Sequence, residues 1–378
     1  MIGRWASAVL VLAAISSPVI AGEADDVLVG AIRWDAWTGG RGVAGRAVQE
    51  TLGPAKWYTR LPFFARVVGD GRVEIDGTAQ AVVDREIEYA AGAGLDYWAF
   101  VTYPAGDPLS LGIRRYLSSA SRSKICFCLI TECGRWHQQA FVDRVVSLMR
   151  EPGYQKVLDG RPLVYLGFIK PEALERLGGE EGFRKVLDGF RSAAAGAGLG
   201  RPYIVVMDFH AEQGRKWADA LGCDAISSYA TGWEQRTISY SRLAANTERF
   251  WDQCRGTGAP VVPIVMTGWD RRPRVEKPVP WEPWQQVGQG WDRYSRAGEP
   301  AEIAEHLNRA CRWLRDHRGA GEARTVLIYA WNEFDEGGWL APTLSEGAAR
   351  LEAIGRVLGR RPGTRPASVT APAGATGG

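Results

Sequence analysis

The chain has 378 residues, of which 46% are hydrophobic and 24% are charged. This composition is typical of a globular protein with a sizeable core, and it excludes disorder for most of the chain. The length fits one large α/β barrel or two ordinary domains. The formal net charge of +3 is too small for a nucleic-acid-binding surface, so no nucleic acid is expected as a partner.

The first 21 residues have the layout of a signal peptide. Arg4 precedes an apolar stretch that ends just before Gly22. A retained membrane anchor is the alternative, but Ser16, Ser17 and Pro18 interrupt the apolar stretch, which is short for a full span. We therefore expect a secreted or periplasmic protein that leaves the membrane after cleavage of residues 1–21.

Eight apolar runs alternate with eight regions of helical periodicity along the remaining chain. The predicted strands cover residues 27–34, 95–101, 124–130, 163–169, 203–207, 223–227, 261–266 and 326–329. The predicted helices cover residues 78–93, 109–118, 139–149, 171–195, 211–221, 239–254, 299–317 and 345–358. Residues 361–378 are rich in proline, alanine, glycine and threonine and are predicted to form a disordered tail.

This alternation indicates parallel strands joined by crossover helices. Eight units favour a closed barrel over an open sheet. An open nucleotide-binding sheet would usually carry a glycine-rich phosphate turn, and neither G-x-G-x-x-G nor G-x-x-x-x-G-K-[ST] follows any predicted strand. The sequence therefore predicts a single (β/α)8 TIM barrel over residues 22–360, with a long loop after strand 7.

Acidic and aromatic residues gather after the carboxyl ends of the predicted strands, where barrels place their ligand sites. The candidate binding residues in these positions are Asp35, Trp37, Tyr103, Glu132, Asp208, His210, Tyr229, Trp269 and Asp270. For any single acid among them, a helix N-cap or a loop hydrogen bond is the alternative. Their concentration at one end of the strands is what favours a site.

The connection over residues 267–300 is long for a compact domain, and long loops of this kind are often functional. It contains Trp269, Trp281, Trp284 and Trp291, whose ring faces suit stacking on sugars. The alternative is that these rings only fasten the loop to the barrel. Its basic residues between 271 and 277 could meet an anionic substrate or could simply be solvated.

The cysteines and histidines do not indicate a metal site. Six cysteines in an exported chain permit disulfides without proving them. No Cys-x-x-Cys pair and no His-x-x-x-His pair occurs among the six cysteines and four histidines. We expect neither a metal nor a cofactor.

The strongest candidate for a reactive site is the stretch 329–339, where an apolar run turns abruptly into acids and glycines. Glu333 and Glu336 would point to opposite faces of an extended strand, whereas a helical or 3₁₀ turn would put both on one side. Two carboxylates beside Trp331 and Trp339 would have raised pKa values, as acid/base catalysis requires. Paired carboxylates are typical of glycosidases. The alternative is a helix start, where acids complement free N–H groups.

Several motifs resemble glycoside hydrolase family 99 and the related WbsX-like polysaccharide enzymes. Residues 331–337 read W-N-E-F-D-E-G where the family reads W-N-E-W-x-E-G, and residues 268–274 match G-W-D-x-x-P-R. Residues 56–64 are similar to a third motif, W-x-Y-R-x-P-F. The resemblance implies a (β/α)8 barrel that cleaves α-mannose-type linkages, often within a chain, with retention through a 1,2-anhydro sugar.

The same resemblance implies roles for single residues. Glu333 would be the base that takes the proton of the sugar 2-hydroxyl, and Glu336 would protonate the leaving oxygen and then activate water. Arg274, Trp331, Asn332 and Trp339 belong to the matching motifs and are candidate binding residues. A carbohydrate substrate and a monomeric protein are expected.

Two other functions remain open from the sequence. A carbohydrate-binding barrel without hydrolytic activity would also explain the 16 tryptophans. A glycosyltransferase, as some WbsX-like proteins are described, fits less well with export, because sugar-nucleotide donors are mostly cytoplasmic, and no phosphate-binding turn is visible.

Overall fold

The computed structural model describes residues 27–359, so the predicted signal peptide and the predicted tail lie outside the described residues. The strands are β1 (Leu28–Arg33), β2 (Ala65–Gly69), β3 (Arg72–Ile75), β4 (Tyr97–Val101), β5 (Cys126–Glu132), β6 (Lys156–Val157), β7 (Arg161–Gly167), β8 (Tyr203–Met207), β9 (Ala225–Ser227), β10 (Ile264–Met266), β11 (Thr325–Tyr329), β12 (Asn332–Glu333) and β13 (Gly338–Trp339). The helices are α1 (Gly42–Thr51), α2 (Gln80–Gly92), α3 (Leu111–Ser118), α4 (Gln139–Met149), α5 (Pro171–Arg176), α6 (Gly179–Gly196), α7 (Ala211–Leu221), α8 (Tyr240–Gly256), α9 (Arg272–Glu276), α10 (Pro300–Asp316) and α11 (Ala349–Leu358).

Eight strands pair in parallel around one barrel, in the order β10-β11-β1-β4-β5-β7-β8-β9. The remaining seam, between β9 and the segment leading into β10, closes through two backbone hydrogen bonds. Ile226 N donates to Pro260 O at 2.9 Å, and Val262 N donates to Ile226 O at 3.0 Å. Helices connect the strands, and the predicted (β/α)8 barrel with its long loop after the seventh barrel strand, β10, is confirmed.

Side chains of β4, β7 and β11 fill the amino-terminal end of the barrel interior. Tyr97 Oη lies 2.9 Å from Tyr165 Oη and 2.9 Å from Thr325 Oγ1, so this buried hydroxyl is fully hydrogen-bonded. The ring fits because residue 30 is glycine: a Cβ there would lie 2.2 Å from the Tyr97 ring. This end of the barrel is a packed floor, and the opposite end is free to form a site.

The predicted element bounds agree closely with the structure, with two differences. The predicted helix over residues 171–195 is two helices, α5 and α6, because Gly178 and Gly179 adopt φ of 81° and 77° and interrupt the helical path. The predicted excursion between the first strand and helix contains α1 and the β2–β3 hairpin, which have no clear periodic signal in the sequence.

Cys128, Cys133, Cys223 and Cys254 are free thiols, and all of the six cysteines except Cys126 and Cys223 are buried. Between residues 27 and 359, no helix is both long enough and apolar enough to cross a bilayer. Over the same part of the chain, no group of three or more histidine, cysteine, aspartate or glutamate side chains has a metal-binding arrangement.

Candidate active site

A small hairpin at the end of β11 positions both candidate catalytic glutamates. β12 and β13 pair antiparallel, and a 3₁₀ turn over Phe334–Glu336 joins them. Gly337 has φ of 80°, and a Cβ there would lie 2.6 Å from the backbone nitrogen of Asp270. That nitrogen donates to Glu336 O at 2.6 Å, so the turn is fastened to the loop after β10. Both glutamates consequently face one cleft.

The cleft has a volume of about 580 Å3 and opens at the carboxyl ends of the strands. Its walls combine aromatic rings with charged groups. The lining side chains that carry rings or charges are Trp34, Tyr103, Glu132, Arg135, Phe168, Lys170, Glu172, Arg176, Phe209, Tyr229, Trp269, Arg271, Arg274, Trp281, Glu282, Trp284, Glu333 and Glu336. A concave site of this size and lining is suited to a small ligand or to a segment of a polymer.

Glu336 is buried and surrounded by hydrogen-bond donors. Arg271 Nη2 lies 3.0 Å from its Oε1, Arg274 Nη1 contacts the same oxygen, and the Tyr329 hydroxyl donates to Oε2. Burial alone would raise the pKa of Glu336, but the two guanidinium groups and the tyrosine outweigh it and lower that pKa below its usual value. Glu336 is therefore ionised in the unliganded protein.

Glu333 is equally buried but has fewer donors. The Tyr229 hydroxyl donates to its Oε1 at 2.6 Å, while Oε2 has no hydrogen-bond partner among the described residues. The nearest positive charge to Oε2 is Arg274 Nη2 at 3.6 Å. Burial and the like charge of Glu336 raise the pKa of Glu333 well above its usual range, against the opposing effect of Arg274. Of the two carboxyl groups, Glu333 therefore holds its proton to the higher pH.

Arg274 is the centre of the electrostatic arrangement. Its Nε donates to Asp335 Oδ2 at 2.7 Å, and its two terminal nitrogens face Glu333 and Glu336. Because an arginine presents its donors in a fixed planar fork, one guanidinium sets the relative position of three carboxyl groups. Asp335 is fully buried away from solvent and serves as the counter-ion of Arg274.

Of the residues predicted from the sequence, seven line the cleft together: Tyr103, Glu132, Tyr229, Trp269, Arg274, Glu333 and Glu336. Tyr103 accepts a hydrogen bond from Trp34 Nε1 at 2.9 Å, and Glu132 pairs with Arg135 at 3.1 Å. The side chain of Arg274, predicted as a substrate contact, lies under the acids and positions them.

Four predicted binding residues near β1 and β12 do not line the cleft. Asp35 accepts from Arg33 Nε at 2.8 Å, in a buried network with Glu86 behind the barrel wall. Trp331 Nε1 donates to the same Glu86 at 2.9 Å. The other two residues, Asn332 and Trp37, are held by hydrogen bonds within the protein. The Asn332 side chain accepts from Trp34 N at 3.0 Å, and Trp37 Nε1 donates to Asn332 O at 2.7 Å.

Four more predicted residues are also placed outside the cleft. The carboxylate of Asp270 accepts hydrogen bonds from Arg60 and from Arg272. Arg272 Nε donates to its Oδ1 at 2.8 Å. Trp339 is packed against the Arg350 guanidinium, 3.9 Å from its ring centroid. Asp208 accepts from His210 N at 2.9 Å just before α7, which is the loop hydrogen bond considered above as an alternative, and the His210 side chain points into solvent. These acids and rings are structural.

Several residues that line the cleft were not among the site residues predicted from the sequence. Trp34 stands directly before the chosen Asp35, but on the opposite side of the strand, so a correct strand register would have found it. Arg271 and Glu282 pair with each other in the long loop. Phe168 has φ of 55°, a left-handed conformation that no residue pattern signals, and its ring packs 5.3 Å from that of Tyr229.

The structure defines a (β/α)8-barrel protein with an open cleft at the carboxyl ends of its strands, in which two buried glutamates have pKa values displaced in opposite directions. Residues 129–354 match the family described as Glycosyltransferase WbsX, and the chain belongs to that family. The resemblance to WbsX-like proteins that the motifs indicated is thereby confirmed. No curated protein matches the chain.

Two solved structures share the fold across most of both chains. They are structures of the GH99 endo-alpha-mannosidase from Bacteroides thetaiotaomicron, one of them in complex with BIS-TRIS-propane. The complex has 13% sequence identity and a TM-score of 0.53 and covers 88% of this chain and 95% of the other. The second has 13% identity and a TM-score of 0.51, covering 88% and 96%. At this identity the likeness is one of fold.

Proposed function

We propose that the protein is an exported, monomeric glycoside hydrolase that cleaves α-mannose-type or related linkages in a polysaccharide or glycan with retention of configuration. One observation carries the proposal: Glu333 and Glu336 lie in a single cleft, bridged by Arg274, with pKa values displaced in opposite directions. Titratable pairs whose environments separate their pKa values are the usual equipment for acid–base catalysis. Export rests on the sequence of residues 1–21.

The different environments of the two glutamates suggest different roles. Glu333 holds a proton and has one oxygen, Oε2, without a hydrogen-bond partner among the described residues, so it can donate to a leaving-group oxygen. Both oxygens of Glu336 are already occupied by Arg271, Arg274 and Tyr329, which stabilise its negative charge. Glu333 is therefore the proton donor in our proposal, and Glu336 is the ionised partner that accepts the sugar 2-hydroxyl proton.

This assignment is the reverse of the one that the family resemblance implies. It is chemically consistent because the two sites are coupled: the charge of Glu336 raises the pKa of Glu333, and by linkage the reverse also holds. When Glu333 gives its proton to the leaving oxygen and becomes an anion, the proton affinity of Glu336 rises. At that moment Glu336 takes the 2-hydroxyl proton, O2 forms its bond to C1, and the bond from C1 to the leaving oxygen breaks.

The walls of the cleft support a carbohydrate as the ligand. Trp34, Trp269, Trp281 and Trp284 all line the cleft. Indole faces pack against the apolar C–H faces of pyranose rings, and the nearby ionised and hydroxyl groups can bind sugar hydroxyls. The combination suits a segment of a glycan chain.

The experiment compares Glu333→Gln and Glu336→Gln on α-mannan and on α-mannosides with a dinitrophenyl leaving group. Each variant is expected to lose about 10²- to 10⁴-fold in turnover of α-mannan, the usual cost of removing a general acid or base. The dinitrophenyl leaving group needs no protonation, so Glu333→Gln should recover activity on it while Glu336→Gln should not.

The outcomes separate the parts of the proposal. If Glu336→Gln recovers activity on the dinitrophenyl substrate and Glu333→Gln does not, the two glutamates have the roles that the resemblance implies. Full activity of either variant on α-mannan would remove that glutamate from the mechanism. If the wild type cleaves no member of a panel of α-mannan and related polysaccharides, the protein is not a glycosidase of this class.

Glycosyl transfer is the second candidate, and the description of the WbsX family favours it. A sugar-nucleotide donor would need cations free to bind its diphosphate. Lys170 and Arg176 line the cleft and could serve this purpose, whereas Arg271 and Arg274, the two guanidinium groups beside the glutamates, are engaged with Glu336, Glu282 and Asp335. Incubation with sugar nucleotides and oligosaccharide acceptors distinguishes the two, since product elongation would favour a transferase.

A further inference from the structure

Exposed aromatic side chains are concentrated at one rim of the barrel. Among the described residues, Phe209, Trp233, Trp284 and Trp291 are large rings with 39% to 52% of their surface exposed. They follow β8, β9 and β10, so all four belong to loops at the carboxyl ends of neighbouring strands. A single exposed hydrophobic residue such as Trp291, which neither lines the cleft nor contacts another ring among the described residues, needs no explanation, but the other three rings are grouped beside the cleft and indicate a binding surface.

Two of these rings continue directly from the cleft. Trp233 stacks on Trp269, with ring centroids 5.0 Å apart and an angle of 18° between the planes. Trp269 lines the cleft and contacts the ring of Tyr329, whose hydroxyl donates to Glu336. Phe209 also lines the cleft and lies 5.5 Å from Trp233. A continuous row of rings therefore leads from the reactive carboxylates to the open rim.

The loop that carries Trp233 is held rigidly. Gly232 has φ of 88°, and a Cβ there would lie 2.6 Å from Thr247 Oγ1, so the backbone is pressed against α8. Asn246 Nδ2 donates to Gly232 O at 2.7 Å and to Glu234 Oε1 at 2.9 Å. A tryptophan that is exposed on a fixed loop is already positioned for a ligand and loses little conformational entropy on binding.

The segment that carries Phe209 is fixed as well. Asp208 Oδ1 accepts a hydrogen bond from His210 N at 2.9 Å, which closes a turn around the phenylalanine. Asp208 Oδ1 also lies 3.7 Å from His210 Nδ1. This gives Asp208 a structural purpose in place of the direct substrate contact expected from the sequence.

We propose that Phe209 and Trp233 form a distal glycan subsite, in which the rings pack against a pyranose unit of the chain beyond the units held at Glu333 and Glu336. The inference deepens the proposed function, on which the choice of a carbohydrate as the ligand rests. Pyranose rings offer flat C–H faces to aromatic side chains, and the row through Trp269 places this surface in line with the cleft. The ligand is therefore a polymer long enough to extend past the cleft.

The test is electrophoretic retardation of the full-length protein in native gels that contain α-mannan, galactomannan, xylan, β-glucan or arabinogalactan. It uses wild type, Trp233→Ala, Phe209→Ala and Trp291→Ala. Trp291 is an equally exposed tryptophan that neither lines the cleft nor has a ring contact among the described residues, so its variant is the matched control. Circular dichroism and thermal melting show whether each variant is folded.

We expect at least one polysaccharide to retard the wild type, with the dissociation constant rising about ten-fold in Trp233→Ala and less in Phe209→Ala. Trp291→Ala should behave as wild type, and Trp233→Phe should recover part of the binding. Retardation by none of the five polysaccharides, or equal retardation of folded Trp233→Ala and wild type, overturns the distal subsite. Retardation without release of reducing sugar would leave the subsite standing and count against the proposed hydrolase.

Discussion

Each of the two glutamates, which are only three residues apart, accepts a hydrogen bond from a tyrosine. Tyr229 donates to Glu333 and Tyr329 donates to Glu336, and each hydroxyl is itself buried, with a pKa raised well above its usual value by burial. Both tyrosines therefore remain protonated donors throughout the working pH range. The difference between the glutamates comes from the arginines, which favour Glu336.

The first prediction concerns Tyr229→Phe. The hydroxyl of Tyr229 lowers the pKa of Glu333, so its removal raises that pKa further. If Glu333 is the proton donor, activity falls as the pH rises through its pKa. The basic limb of the profile of kcat/KM against pH should therefore move to higher pH in the variant, with kcat reduced because the carboxyl group is less well positioned.

The comparison variant is Tyr165→Phe, which changes a buried tyrosine on the opposite end of the barrel interior, away from the cleft. It should leave the basic limb in place. A basic limb that stays fixed or moves to lower pH in Tyr229→Phe would show that Glu333 is not the group titrating there.

Still at the scale of single residues, the role of an acid at a strand end is ambiguous until its partner is known. Asp35 is paired with Arg33, whose guanidinium group also binds Glu86, 53 residues from it in the chain, and Asp270 is paired with Arg60, 210 residues away. The partners that make these acids structural come from distant segments. Their positions in the sequence therefore make Asp35 and Asp270 candidates for the site. Only the tertiary structure shows that they lie outside the cleft that Glu333 and Glu336 line.

At the scale of elements, the β12–β13 hairpin depends on a close approach between two glycine-containing loops. Gly337 and Gly268 face each other: a Cβ on Gly268 would lie 2.2 Å from Gly337 O. The approach allows Asp270 N to bind Glu336 O and holds the 3₁₀ turn against the loop after β10. The tilt of Glu336 into the cleft follows from this contact.

The second prediction compares Gly337→Ala with Gly347→Ala. Both glycines have positive φ, of 80° and 56°, but a Cβ at residue 347 meets nothing within 4 Å. Gly347→Ala should cost only the left-handed strain of about 1 kcal/mol. Gly337→Ala adds a collision with Asp270 and should cost roughly 2 kcal/mol or more and lower kcat at least ten-fold.

Urea unfolding and steady-state kinetics on the same preparations check this comparison. Equal stability losses in the two variants, with normal kcat in Gly337→Ala, would mean that the hairpin tolerates a shift and that the glycine contact does not position Glu336.

At the scale of the whole molecule, a buried acid that keeps its proton makes stability depend on pH. The folded pKa of Glu333 is raised above its unfolded value, chiefly by burial. Its contribution to stability is therefore fully present below the unfolded pKa of glutamate and is lost as the pH rises through the folded pKa. Glu336 has the opposite sign, because its pKa is lowered in the folded protein.

The third prediction concerns Glu333→Gln. This variant keeps the shape of the side chain but replaces the carboxyl group with an amide that does not titrate. The free energy of unfolding of the variant, relative to wild type, should increase as the pH is raised from about 4 to about 8. Glu336→Gln should show the opposite trend at lower pH, losing stability relative to wild type as the pH rises toward the unfolded pKa of glutamate and showing no further trend above it. Urea titrations at several pH values measure both, and parallel curves for Glu333→Gln and wild type would contradict the raised pKa.

Much of this molecule could be predicted from the order of its residues. Buried parallel strands are continuous apolar runs, so eight of them were visible, and Tyr203–Met207, Gln139–Met149 and Ala211–Leu221 agree with the structure at both ends. The glutamates, the glycines after them and the need for a 3₁₀ turn were readable for the same reason: they depend on neighbours in the chain.

The tertiary structure alone decided which polar residues share the cleft and which carboxyl group keeps the proton. Arg274 lies about 60 residues before the glutamates, and Tyr229 lies 104 residues before Glu333. Charge interactions and burial act through space and depend on distances of a few ångströms, which local patterns do not encode. The row of rings from Trp269 to Phe209 likewise exists only because the barrel brings three separate loops together.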